Sequence, residues 1–174
     1  MKQNILISGT GGQGIVASGE FLGQALFAKD YEVMFSRSYG ASARGGACKS
    51  EVMVSDGIIN DLQFEESDVL VCLSLPAFKK YMPTAKPCSL IIVDTHVYER
   101  AESIRDDVKI VHLPARDIAV GLGNQIVANM VMLGQLAKHS ETVSLDLLKD
   151  AVNTRMRESM RVINIKALEE GFSR

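Results

Sequence analysis

The chain has 174 residues, 47% of them hydrophobic and 23% charged, with a formal net charge of −2. That is an ordinary composition for a soluble globular domain with a substantial core, and the balanced charge gives no electrostatic case for nucleic acid. No apolar run approaches the roughly 20 residues of a membrane span, and the three cysteines, Cys48, Cys72 and Cys88, fall short of the about four thiolates that an iron–sulfur cluster takes.

None of the cysteines forms a C-x-x-C pair or sits at metal-ligand spacing from a histidine, so no metal site is expected in this chain. They read as buried small hydrophobes in a reduced, cytoplasmic protein. The first strand is expected within a few residues of Met1, and no signal peptide is expected before it. One domain over 1–174 is expected.

In chain order, residues 4–8 read as a buried parallel strand, apolar without alternation. Gly9-Thr10-Gly11-Gly12-Gln13-Gly14 follows, and then a helical pattern over 15–28 with Ile15, Phe21, Leu22, Ala25 and Leu26 on its inner side. A second strand is expected at 32–36. A polar loop with glycines comes next, Arg37-Ser38-Tyr39-Gly40-Ala41-Ser42-Ala43-Arg44-Gly45-Gly46. Strand alternation resumes over 48–54, with Cys48, Ser50, Val52 and Val54 on one face. Ser55-Asp56-Gly57 is a turn signal, with Ile58 and Ile59 placed to continue a hairpin.

Further strands are expected at 68–74, 89–94 and 108–113, with a short helix at 76–81 between the first two. Pro114 is placed to open a helix, which Gly121-Leu122-Gly123-Asn124 breaks. Residues 125–139 read as a strong helix, 144–156 as a helix with a serine N-cap, and 158–170 as a last helix stopped by Gly171. Strands alternating with helices argue for an α/β, Rossmann-like three-layer fold with a mostly parallel sheet and a Gly-rich loop after the first strand.

In such sheets ligands collect at the carboxyl ends of the strands, where both glycine loops, Ser74 and Asp94 are expected to fall. The first loop matches G-x-G-x-x-G between a strand and a helix. Gly9, Gly11, Gly12, Gln13 and Gly14 there would offer backbone N–H groups to a phosphate at the positive end of the helix dipole. The second loop gathers Ser38, Tyr39, Gly40, Arg44, Gly45 and Gly46, joining hydroxyls, a guanidinium suited to bidentate anion binding and unhindered backbone. An interface role is the competing reading, since arginine and tyrosine are enriched in interface cores.

A dinucleotide site would want an acid at the end of the second strand, but Ser36 and Arg37 stand there. Arg37 could take a 2′-phosphate, which keeps a stand-alone NADP-binding protein as an alternative. A pure assembly subunit without a ligand is another. His96, His112 and His139 share no motif, and no catalytic residue is assigned. Asn124 and Asn129 read as a cap and a buried polar contact.

Gly11-Gly12-Gln13-Gly14 near the N-terminus, followed by Ser38-Tyr39-Gly40 and Arg44-Gly45-Gly46, resembles the gamma subunit of the 2-oxoacid:ferredoxin oxidoreductases. In fused members it resembles the gamma domain of pyruvate:ferredoxin oxidoreductase. The resemblance continues through the strand at 68–71, Leu75-Pro76-Ala77, Gly123-Asn124, the segment 129–134 and the tail 164–171, so it covers nearly the whole chain. The wording of the second loop is most similar to the 2-oxoglutarate branch, with the branched-chain and pyruvate branches open.

The resemblance implies an enzyme that converts a 2-oxoacid and coenzyme A to acyl-CoA, CO2 and a reduced acceptor such as ferredoxin. It implies alpha and beta partner subunits, with a ferredoxin-like delta subunit in some complexes. Thiamine diphosphate, Mg and Fe-S clusters would then belong to those partners and none to this chain. The residues agree that this chain cannot run the chemistry alone: it has no Gly-Asp-Gly segment with a downstream asparagine and no cysteine cluster. Its expected task is to help bind coenzyme A as a substrate and to assemble the complex. An isolated subunit with its partner-facing surface exposed can dimerise through that surface.

Overall fold

The computed structural model describes residues 1–38 and 46–174. Six strands form one sheet: β1 (Lys2–Thr10), β2 (Glu32–Ser38), β3 (Ala47–Ser55), β4 (Ser67–Cys72), β5 (Ala85–Asp94) and β6 (Lys109–Leu113). Their order is β2-β3-β1-β4-β5-β6. β1, β4, β5 and β6 run parallel. β3 is antiparallel to both of its neighbours, β1 and β2.

The helices are α1 (Ile15–Phe27), α2 (Leu75–Tyr81), α3 (Thr95–Tyr98), α4 (Ala115–Gly121), α5 (Ala128–His139), α6 (Leu145–Arg155) and α7 (Glu158–Ser173). Two apolar cores lie on the two faces of the sheet. On one, Ile5, Ile7, Val52, Val54, Val69 and Val71 meet α1, α4, α5, α6 and α7. On the other, Leu6, Leu70, Ile91 and Val93 meet α2 and α3. Strands buried on both faces explain the unbroken apolar runs in the sequence.

Glycine sets the fit of α1 on the sheet. A Cβ at Gly19 would collide with Ser50, whose Oγ donates to Ile15 O at 2.9 Å. In the same helix layer, α5 and α7 cross at Gly134 and Gly171. An added Cβ at either would fall inside the van der Waals radius of a backbone carbonyl oxygen, of Leu168 and Val131 respectively.

Four expectations are corrected. Ile58 and Ile59 form no strand, and Ile58 is exposed; both edges of β3 are already taken by β1 and β2, which leaves a hairpin partner no place. Gly171 does not stop α7, which runs on to Ser173 because the glycine is needed at the α5 crossing. The helix expected from 125 opens with a 3-10 turn, Gln125–Val127, capped by Asn124, whose Oδ1 accepts from Ile126 N at 3.0 Å. Cys88 is exposed and holds a φ of 63°, at the bulged start of β5, where its N–H donates to Asp107 O.

Cys48 and Cys72 are buried, and burial pushes the Cys72 thiol up to about 11 and raises that of Cys48. A thiol reagent acts on the thiolate. Titration of the native chain with Ellman's reagent should therefore consume Cys88 alone at first, with the other two reacting only on unfolding. Rapid reaction of a second thiol would contradict this packing.

Candidate functional site

The carboxyl edge of the sheet gathers the site. After β1 the chain turns through Gly11 to Gly14 and enters α1. Gly12 and Gly14 adopt φ of 91° and 70°, values that disfavour any side chain with a Cβ. Gln13 braces the turn: its Oε1 accepts from Thr10 N at 2.8 Å and from Thr10 Oγ1 at 3.2 Å, and its Nε2 donates to Leu73 O at 3.1 Å. Gly9 is buried behind the turn, where a Cβ would meet Gln13 and Ile15. Asn129 Nδ2 donates to Gly14 O at 3.2 Å, tying α5 to the start of α1.

Gly14 is the N-cap of α1 and supplies no side-chain acceptor, and the first turn holds no acid. The leading N–H groups of α1 therefore lack a side-chain cap, with the positive end of the helix dipole behind them. Other strand ends differ. Ser74 caps α2 by accepting from Ala77 N, and the fully buried Asp94 caps α3 by accepting from His96 N at 3.0 Å.

β1 connects through α1 on one face, and its parallel neighbour β4 connects through α2 on the other. That is the topological switch point at which open α/β sheets form their crevice. A cleft of about 420 Å³ opens there, with Gly11, Gly12 and Gln13 on one wall, Arg116 on the other, and Gln125 and Ile126 at the rim.

Arg116 is the residue that sequence reasoning missed. Its backbone N–H donates to Asp94 Oδ2 at 3.0 Å, and its Nη2 donates to Leu73 O. Its Nε is buried without a hydrogen-bond partner, 4.0 Å from Asp94 Oδ1. The guanidinium is thus anchored at the ends of β4 and β5 while 42% of the side chain stays exposed at the cleft. The only signal in the sequence was its place just after Pro114, at the end of a strand.

Of the other site residues inferred from sequence, Gly46 adjoins Ala47, which pairs with Thr10, so the end of the second loop sits beside the first. Ser38 closes β2, two strand spacings or roughly 10 Å from β1, and does not line the cleft. Tyr39, Gly40, Arg44 and Gly45 lie outside the described residues. No histidine lines the cleft: His96 faces Asp117 at 3.0 Å, His112 stacks on Tyr98 with ring centroids 4.5 Å apart, and His139 contacts Gln135. Among the described residues no group of three His, Cys, Asp or Glu side chains could hold a metal ion, and no helix is long and apolar enough to cross a membrane. The cleft offers the backbone of the turn that leads into α1 and one anchored guanidinium, which together suit an anion, and among the described residues no general acid or base lines it.

Comparison with known proteins names the group that shares this framework. The chain is 36% identical over 174 residues to the 2-oxoglutarate synthase subunit KorC of Methanocaldococcus jannaschii, covering 99% of this chain and 93% of that protein. It superposes on the gamma subunit of a keto/oxoacid ferredoxin oxidoreductase from Geobacter sulfurreducens with a TM-score of 0.86 and 31% identity, covering 99% of this chain and 95% of the other. It also shares its fold with 30% of a chain of the 2-oxoglutarate:ferredoxin oxidoreductase from Magnetococcus marinus, at a TM-score of 0.89 and 23% identity over 99% of this chain; that structure holds 2-oxoglutarate, coenzyme A and succinyl-CoA. The model of the pyruvate ferredoxin/flavodoxin oxidoreductase family matches residues 4–174, and the chain belongs to that family.

Proposed function

We propose that this chain is the gamma-type subunit, a single domain over 1–174, of a 2-oxoacid:ferredoxin oxidoreductase of the 2-oxoglutarate branch. The complex would convert 2-oxoglutarate and coenzyme A to succinyl-CoA and CO2 and pass electrons to ferredoxin or a similar acceptor. Full-length similarity to 2-oxoglutarate synthase subunits supports the branch. Alpha and beta subunits, with a ferredoxin-like delta subunit where one exists, would carry thiamine diphosphate, Mg and the Fe-S clusters. Three free cysteines fit a reducing, cytoplasmic setting.

The chain's own contribution is to hold the phosphate-bearing end of coenzyme A. The observation that carries this reading is the meeting of the glycine turn that leads into α1 with Arg116 on one cleft at the switch point. Gly11, Gly12 and Gly14 offer backbone donors, Gln13 keeps their turn rigid, and Arg116 offers charge. Arg44, with Tyr39, Gly40, Gly45 and Gly46 of the second loop, would contribute to the same anion site, while Ser38 stands too far from the cleft to do so. Fixing one end of the coenzyme lets its thiol reach the reaction centre on the neighbouring subunits, a catalytic contribution through positioning.

Calorimetric titration with coenzyme A tests the reading, on the isolated chain and on the assembled complex, with NADPH as the control. Binding of coenzyme A and not NADPH is expected, with a weaker coenzyme A response in Arg44→Ala. Binding of NADPH alone would establish a dinucleotide protein instead. Silence of the assembled complex toward coenzyme A would leave an assembly role only.

A further inference from the structure

β2 is an outer strand of the sheet: β3 pairs with one edge, and no strand among the described residues pairs with the other. Its side chains toward α1, Val33 and Phe35, are only half-buried, because the helix meets them at Gly23. Between α1 and β2 lies an open groove of about 700 Å³, with Val33 and Phe35 on its floor. Phe27, at the end of α1, lines it with 68% of its surface exposed. Arg37 and Arg155 stand at its walls against a single carboxylate, that of Glu20. Neither arginine forms an ion pair among the described residues, and Arg155 only reaches Gln24 Oε1 at 3.4 Å.

We propose that this groove docks an extended acidic segment of a partner polypeptide, which pairs with the free edge of β2 as a seventh strand. An outer strand presents a row of unpaired backbone groups that templates another chain. Side chains of an added strand alternate between the two faces of the sheet. Every second one would therefore enter the groove, where Phe27, Phe35 and Val33 take an apolar group and Arg37 and Arg155 take carboxylates. An exposed phenylalanine beside two unpaired guanidiniums is the anatomy of an interface centre, where aromatic and arginine residues dominate binding. The charge excess selects an acidic partner over a second copy of this chain, whose own strand would bring Arg37 against the same arginines. This inference rests on the reading of the chain as a subunit of a complex, and its surface is separate from the coenzyme cleft.

Hydrogen–deuterium exchange over 32–38 tests it, comparing the isolated chain with the assembled complex. Amides of β2 that exchange freely in the isolated chain should slow by about tenfold or more on assembly. The double variant Arg37→Glu/Arg155→Glu should lose that protection, or its place in the complex, while an isolated chain of this variant keeps the wild-type thermal midpoint and response to coenzyme A. Unchanged β2 exchange in an active complex overturns the docking proposal and leaves the coenzyme reading intact. Protection that grows with concentration in the isolated chain overturns it in favour of a second copy. A chain that joins no complex overturns both readings.

Discussion

Gly171→Ala should be the most destabilising glycine-to-alanine change among the described residues. The new Cβ would overlap Val131 O at the crossing of α5 and α7, and a backbone atom cannot rotate away as a side chain can. The helices must separate along a contact that buries Val131, Leu133, Ala167 and Leu168. Overpacking of this kind costs about 3 kcal/mol. For a chain of this size that corresponds to a fall in thermal midpoint of roughly 6–12 °C. Gly134→Ala should behave alike, since its Cβ would overlap Leu168 O. The control has the opposite sign. Gly121 lies at the exposed end of α4 with nothing within 4 Å of an added Cβ, so Gly121→Ala should stabilise by up to about 1 kcal/mol through helix propensity. Calorimetric scans of the three variants check the set. A Gly171→Ala chain that melts with the wild type would mean that the two helices do not cross as described.

The second large effect concerns Arg116. Arg116→Ala should raise the Michaelis constant for coenzyme A of the assembled enzyme by about 10- to 100-fold, the loss of one or two charge-assisted hydrogen bonds. The turnover number and the constant for the 2-oxoacid should hold, because the contact serves binding equally in the ground and transition states. The fold should survive the change. Asp94 keeps its two backbone donors, His96 N and Arg116 N, whatever side chain stands at 116. Arg116→Lys should recover part of the loss only, since a single ammonium cannot reach Leu73 O and face the cleft in the same fork. Steady-state kinetics with coenzyme A as the varied substrate decide it. An unchanged constant in a correctly assembled complex would remove the cleft from coenzyme binding.

Periodicity revealed most of the elements because apolar burial creates it. β1, α1, β4, β5 and α6 fall within a few residues of their expected bounds, and the inner face of α1 is the expected one. The position of β3 was not legible. A strand buried on both faces, with Val52, Met53 and Val54 in succession, carries no mark of its neighbours or their direction. Gly171 misled because a glycine late in a helix reads as a stop, whereas here it answers to a contact 40 residues away in sequence. Cys88 misled because cysteine is usually buried, while a bulge in β5 turns it outward. Within the site, the glycine turn declared itself through local spacing. Arg116 did not, because its role exists only once the ends of β4, β5 and β6 stand side by side.

The reversed direction of β3 also shapes how such a protein can change over generations. Because β3 runs against β2, Ser38 and Gly46 both open onto the edge that carries the cleft. Residues can be gained or lost between them without shifting a single strand pair, and doubling the length of such a connection costs only about 0.6 kcal/mol of closure entropy. The turn at Gly11 to Gly14 has no such latitude, since Gln13 bolts it to Leu73 and Asn129 to α5. One scaffold therefore offers descendants a constant glycine turn beside a connection whose length is free to change, a layout that lets substrate or partner preference drift while the turn stays put.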